Sequence, residues 1–304
     1  MSIQTMQLPF TAADPFVMKA ADGRYYVYCT SETGYGFLVR SSADLVTWTD
    51  HGEILPPECA KWGVSCFWAP ECYEIDGRYY LLYSANWKEN PNNEEEIFRI
   101  GVAASDFPAG PFEDISDRPI FDPGYPIIDA NLWHEDGHTY LYYSRCCYKH
   151  NVDGLEESWI YGVELKPDFS GVIGEPKLLL RPEQEWEGRS AKATGRRWNE
   201  GSYLMKAGGK YLMTYSGNFF GGPDYAVGYA VSDHPMGPYT KAKENPILER
   251  YGEVTGTGHS CMFTGPDGEL LICYHGRTVT GGQDRIGFIS PARVTQDGKL
   301  EILP

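Results

Sequence analysis

The stretch Arg197–Asn218, "RWNEGSYLMKAGGKYLMTYSGN", decides the fold. Two Tyr-Leu-Met runs flank a Gly-Gly break, and β-rich runs joined by such a dipeptide read as a hairpin whose turn needs positive φ. Glu200 stands at the mouth of the first run. A carboxylate beside so much apolar and aromatic surface is costly to desolvate unless something compensates or uses it.

The same plan occurs four more times: "ADPFVMKAADGRYYVYCTS", "WAPECYEIDGRYYLLYSAN", "DANLWHEDGHTYLYYSR" and "GHSCMFTGPDGELLICYHGR". The aligned turn glycines, Gly23, Gly77, Gly137, Gly209 and Gly268, recur at intervals of roughly 55–70 residues, the signature of a repeat architecture. A further strand follows each hairpin, plainly in "RIGVAASDFPAGPFED" and "YAVGYAVSDHPMGPYTK" and more loosely in "GFLVRSSADLVTWTDHG". Each unit then supplies about four strands, the content of one propeller blade. The expectation is an all-β, single-domain, five-bladed β-propeller over residues 1–304. Tandem β-sandwiches would need a hydrophilic joint between them, and none is present.

Counting back eight or nine residues from each turn glycine reaches Asp14, Ala69, Asp129, Glu200 and His259. Innermost strands line a propeller's channel, so three carboxylates and a histidine are expected at one mouth. Taken singly, each has a plain structural role. Asp14 precedes Pro15 and opens a strand, Asp129 and Glu200 cap turns, and His259 is a hydrogen-bonded core histidine. Their coincidence at one blade position favours function. The unequal heads suit unequal jobs, as in glycoside hydrolysis, where one acid protonates the leaving oxygen and one base activates water. A third carboxylate raises the acid's pKa by like-charge repulsion.

Bulk composition narrows the partners. A net charge of −16 disfavours nucleic acid and anionic membranes, so a neutral substrate is expected. The 22 tyrosines and 8 tryptophans suit strands and sugar-binding clefts. The N-terminus lacks a secretory pattern and no apolar run approaches a membrane span, which points to a cytoplasmic protein with its 8 cysteines reduced. His134 and His138 flank a turn and Cys146–Cys147 lacks a partner pair, so both read as structural rather than zinc-binding. No phosphate loop or nucleophile elbow is found, and no organic cofactor is expected. Oligomeric state is left open.

The segments "ADPFV", "FWAPE", "IDANLW" and "NEGSYL" resemble those of glycoside hydrolase family 43, five-bladed propeller enzymes that act on arabinose- and xylose-containing polysaccharides. The likeness spans essentially the whole chain. It implies that Asp14 is the general base, Glu200 the general acid and Asp129 the group that tunes and orients the acid. It also implies inversion, with Asp14 and Glu200 about 6.5–9.5 Å apart to admit a water. "GTGHSCMF" resembles the segment whose histidine, His259, sits beside a calcium or other cation, partly through water, on the channel axis, and "YHGR" the segment whose Arg277 reaches the sugar. Phe67 and Trp68 of "FWAPE", and Asn218, Phe219 and Phe220 of "GNFFGG", are the remaining candidates for the substrate site.

Many xylosidases of that family carry a C-terminal β-sandwich, whereas this chain stops at Pro304 after the fifth blade, which favours a single-domain α-L-arabinofuranosidase. Long inserts, "NWKENPNNEEEIFR", "YKHNVDGLEESW" and "EQEWEGRSAKATGRRW", are expected to wall a cleft into a pocket, giving exo action on pentose-containing oligosaccharides. The alternatives are a β-xylosidase, an endo-arabinanase, or a carbohydrate-binding propeller without catalysis. A retaining fructan hydrolase is disfavoured because its Arg-Asp-Pro segment is missing.

Overall fold

The computed structural model describes residues 4–30, 36–89 and 96–304. Each quoted hairpin forms, and its turn glycine takes the left-handed conformation: φ is 82° at Gly23, 76° at Gly77, 80° at Gly137, 77° at Gly209 and 83° at Gly268. A side chain there meets the Cβ–carbonyl clash that glycine avoids.

Blade I comprises Ala13–Lys19, Tyr25–Thr30, Phe37–Ser42 and Thr49–Glu53, and blade II Gly63–Ile75, Arg78–Trp87, Phe98–Ser105 and Glu113–Asp114. Blade III is built on Ile127–Glu135, His138–Arg145, Leu155–Leu165 and Val172–Leu180. Blade IV takes Arg196–Ala207, Lys210–Gly217, Ala226–Ser232 and Thr240–Lys241. Blade V holds Thr255–Thr264, Leu270–Arg277 and Ile286–Val294. The ring is fastened from the other end of the chain, because Met6–Thr11 pairs antiparallel with Ile286–Val294 as an outer strand of blade V. The protein is thus a five-bladed β-propeller.

Alternation along each strand sends apolar residues to both faces of a blade, and the core lies between blades. Phe37, Phe67, Trp62 and Tyr83 pack blade I on blade II. Leu82, Ile100, Leu141 and Val163 join blades II and III. Tyr142, Leu204, Met213 and Tyr215 join III and IV, and Leu212, Tyr229, Ile272 and Tyr274 join IV and V.

The channel is plugged just below its mouth. Two residues along each innermost strand from its left-handed residue stand Phe16, Glu71, Asn131, Tyr203 and Cys261. Asn131 Nδ2 donates to Glu71 Oε2 at 3.0 Å, the Val17 amide donates to Cys261 Sγ at 3.2 Å, and the Phe16 ring contacts Tyr73 and Tyr203. Burial, the largest influence, pushes the Glu71 carboxyl up to about 8. Phe16, Glu71, Asn131 and Cys261 are buried in this layer.

All 8 cysteines are free thiols, as expected. Of the three long inserts, Glu183–Trp198 contains a 3-10 turn at Glu185–Gly188 and a helical turn at Ala191–Thr194, the only α-helix among the described residues. In the insert Asn86–Arg99, positions 90–95 lie outside the described residues.

Candidate active site

Every innermost strand carries the same irregularity at its upper end. Pairing with the second strand skips between Ala13 and Phe16, Trp68 and Glu71, Ile128 and Asn131, Glu200 and Tyr203, and Gly258 and Cys261. The first residue inside each bulge is left-handed: Asp14 (φ 51°), Ala69 (45°), Asp129 (60°), Gly201 (57°) and His259 (49°). A bulge re-aims a side chain that the regular pleat would send into the blade face. Asp tolerates this conformation better than most residues, and glycine best of all. The count from the turn glycines therefore lands one residue early in blade IV. Gly201 holds the repeated position, and Glu200 is the last paired residue before it.

A second repeat fixes the bulges to one another. Each left-handed residue donates its amide N–H to a side chain on the second strand of the preceding blade. Ala69 donates to Thr30 Oγ1 (2.8 Å), Asp129 to Ser84 Oγ (3.0 Å), Gly201 to Ser144 Oγ (3.2 Å) and His259 to Ser216 Oγ (2.7 Å). Asp14 closes the circle onto His275 Nδ1 at 3.2 Å. Two of the hydroxyls pass the chain on, Thr30 Oγ1 to Asp14 Oδ2 (2.8 Å) and Ser144 Oγ to Asp129 Oδ2 (3.0 Å).

The ring frames a cavity of about 170 Å³ that Asp14, Asp129, Glu200 and His259 line together. All four are buried. Arg285 Nη1 lies 2.7 Å from Asp14 Oδ1, and His259 Nδ1 lies 3.3 Å from the same oxygen. Burial alone would raise Asp14, but the Arg285 guanidinium and then His259 outweigh it and hold this carboxyl well below its usual range. Glu200 is pushed the other way, first by burial and then by the charge of Asp129. Its Oε1 accepts one hydrogen bond, from Tyr225 Oη at 2.9 Å. Burial raises Asp129 too, yet its Oδ2 accepts from both Ser144 Oγ and the Gly201 amide (3.2 Å). Two donors favour an ionised carboxylate, so of this coupled pair Glu200 keeps the proton. A buried carboxylate and a buried carboxylic acid thus face one cavity, the arrangement that separates base from acid.

Trp68 lines the cavity half-buried, its indole 4.5 Å from the Phe98 ring, and Phe220 lines it too, with the Arg285 guanidinium 5.3 Å from its ring centroid. Four other candidates lie outside this wall. Phe67 is buried against Phe37 and Tyr83, because alternation turns it into the blade when Trp68 faces out. Asn218 is fully buried and donates to the carbonyls of Trp186 and Asp224, which shapes the loop rather than the cavity. Phe219 packs on Trp198. Arg277 donates from Nη1 to the Phe220 carbonyl at 2.8 Å and so acts on the loop behind the wall.

Sequence reasoning missed Arg285, which precedes the third strand of blade V, beyond reach of a count from the turn glycines. It also set aside Cys146 and Cys147, whose loop, continuing to Tyr148, forms one wall. That loop begins the predicted insert before Trp159, so insert length was a usable signal for a wall although the thiols gave none.

Calcium takes six to eight oxygen ligands. Among the described residues no group of three or more His, Cys, Asp or Glu side chains is arranged to hold a metal. His259 Nδ1 instead faces Asp14, and the carboxylates are engaged by Arg285, Thr30, Ser144 and Gly201. Side chains of the described residues alone do not supply that many oxygens, which leaves a cation near His259 to be held largely through water, and no step below runs through a metal.

Comparison with known proteins gives the family. The model of the family "Glycosyl hydrolases family 43" matches residues 7–300. The Beta-D-galactofuranosidase xynD of Aspergillus niger is 30% identical, over 96% of this chain and 82% of its own length. Xylosidase/arabinosidase 43A of Humicola insolens is 32% identical, over 83% and 79%. The crystal structure of a thermostable family-43 glycoside hydrolase superposes with a TM-score of 0.88 at 36% identity, covering 98% of this chain and 96% of that one. An endo-1,4-beta-xylanase from Bacteroides thetaiotaomicron gives 0.83 at 32% identity, covering 100% and 97%. With the fold, the opposed carboxyls and these likenesses together, the chain belongs to glycosyl hydrolase family 43 and is a glycoside hydrolase.

Proposed function

We propose that this enzyme is an inverting, exo-acting hydrolase that releases terminal pentose, foremost α-L-arabinofuranosyl residues, from xylan- or arabinan-derived oligosaccharides. The observation that carries the reading is that Asp14 and Glu200 line one cavity, Asp14 held down by the Arg285 guanidinium and Glu200 pushed up by burial and the charge of Asp129. In this reading ionised Asp14 takes a proton from a water as that water attacks the anomeric carbon. Glu200 gives its proton to the departing glycosidic oxygen, and the bond to the leaving group breaks. The products are the sugar with inverted configuration and the free alcohol. Exchange with solvent returns the proton from Asp14 to Glu200. Asp129 keeps Glu200 protonated until the leaving oxygen draws the proton away.

Exo action is supported by the cavity's size, about 170 Å³, small against the roughly 300–1,000 Å³ of pockets for drug-sized ligands. An adjoining pocket of about 280 Å³ shares Trp68 and Arg285 and gives the leaving portion a place. Curated relatives named xylosidase/arabinosidase and arabinoxylan arabinofuranohydrolase support the pentose assignment.

Aryl α-L-arabinofuranoside and β-D-xylopyranoside, assayed side by side, test this reading, with β-D-galactofuranoside added because of the Aspergillus relative. The arabinofuranoside should be preferred, and Glu200→Gln and Asp14→Asn should each lose at least about a hundredfold in kcat, the contribution of general acid or base catalysis. Preference for either other glycoside overturns the assignment. Wild-type rates in either variant overturn the mechanism.

A further inference from the structure

In four blades the amide of the left-handed bulge residue is received by a serine or threonine hydroxyl of the preceding blade: Thr30, Ser84, Ser144 and Ser216. In the fifth the acceptor is an imidazole, and the residue it holds is Asp14. The exception falls on the bulge residue that serves as the base in the proposed mechanism.

His275 Nδ1 lies 3.2 Å from the Asp14 amide nitrogen and 3.4 Å from Asp14 Oδ1, two distances that assign opposite roles to the same atom. The amide decides between them. A backbone N–H has no option but to donate, and left buried without an acceptor it costs about 1–3 kcal/mol. Nδ1 therefore carries no proton, the ring is neutral, and the 3.4 Å approach to Oδ1 is not an ion pair. The proton resides on Nε2, which is buried and has no hydrogen-bond partner among the described residues. None of them therefore holds the ring from its far side by a hydrogen bond. Packing does so instead: the ring is fully buried and stacks on Tyr225, centroids 5.7 Å apart and planes 14° apart, the same tyrosine that donates to Glu200.

A hydroxyl in this place would carry a proton of its own. Thr30 and Ser144 show where such a proton goes: to the carboxylate of the bulge residue in the same blade. In blade V that residue is His259, which has no carboxylate, and the carboxylate nearest to position 275 is Asp14 itself. A hydroxyl free to rotate would thus be drawn to Asp14 Oδ1, already in contact with Arg285 and His259, and would weaken the carboxylate as a base. The neutral Nδ1 receives the Asp14 amide and offers no proton in return.

We propose that His275 is a positioning residue for the base. As a proton-free acceptor it fixes the strained backbone of Asp14, and with it the direction of the carboxylate, without adding a donor to it. The inference rests on Asp14 being the base, and the experiment keeps the two apart.

Wild type, His275→Ala, His275→Asn, His275→Ser and Asp14→Asn are compared for kcat, KM and thermal midpoint on the preferred aryl glycoside. Asn places a carbonyl oxygen near the position of Nδ1 and can accept the amide. The expected result is a fall of at least tenfold in kcat for His275→Ala with KM within about threefold, since the sugar does not touch position 275. His275→Asn should recover most of the loss, and His275→Ser should recover less than Asn. An Ala variant as fast as wild type, with Asp14→Asn inactive, overturns the positioning role and leaves the base assignment standing. Equal losses in Ala and Asn, tracking their thermal midpoints, also overturn it, because packing alone then explains them. An active Asp14→Asn removes the premise itself.

Discussion

Asp14 and Glu200 are buried carboxyls in one cavity whose neighbours push them apart. Activity needs Asp14 ionised, so the acid limb of kcat/KM should lie below the usual aspartate value of about 3.9. It also needs Glu200 protonated, so the alkaline limb should lie above the usual glutamate value of about 4.3. After burial, the largest cause of the Glu200 shift is the charge of Asp129. Asp129→Asn removes that charge, and the alkaline limb is expected to move to lower pH while the acid limb changes little. An unmoved alkaline limb in a pH–rate profile would show that burial alone keeps the acid protonated. Asp14 and Asp129 were legible in sequence because their blade position repeats, and Glu200 because it stands next to that position. Arg285, which does most to offset burial at Asp14, was not, because it lies just before a third strand and reaches the site through tertiary packing.

Each innermost strand ends in a bulge, and the bulge is what converts a blade into part of a site. The hairpins were readable from Asp-Gly and Gly-Gly turns, but the bulges carry no such mark, since Asp, Ala, Gly and His all occupy the same left-handed place. That degeneracy also explains why a count along the chain reached Glu200 when Gly201 is the repeated residue. Glycine is favoured there for a second reason, because a Cβ would lie 3.0 Å from His259 Nδ1 and the imidazole would have to shift. Gly201→Ala should therefore lower stability by about 1–2 kcal/mol from the left-handed backbone alone. It should also reduce kcat by pushing His259 toward Asp14. Chemical denaturation and steady-state rates check both, and unchanged stability would mean that the bulge relaxes at no cost.

At the scale of the molecule the ring holds because its two ends meet. Met6–Thr11 pairs with Ile286–Val294, and the Ala12 amide donates to the Arg285 carbonyl at 3.0 Å, so the closure lies immediately beside the base and its guanidinium. Deleting residues up to Thr11 should lower the thermal midpoint and cost activity together; full activity in the shortened chain would uncouple ring from site. Five units were legible from their turns, whereas the closing strand matches no repeat and became visible only through its pairing. The division of labour between Asp14 and Glu200 is read out in the configuration of the first product. Proton NMR of α-L-arabinofuranoside hydrolysis, followed from the first minutes, should show β-L-arabinofuranose appearing before mutarotation. Initial release of the α-anomer would mean retention, which requires a carboxylate nucleophile and contradicts Asp14 as a base acting through water.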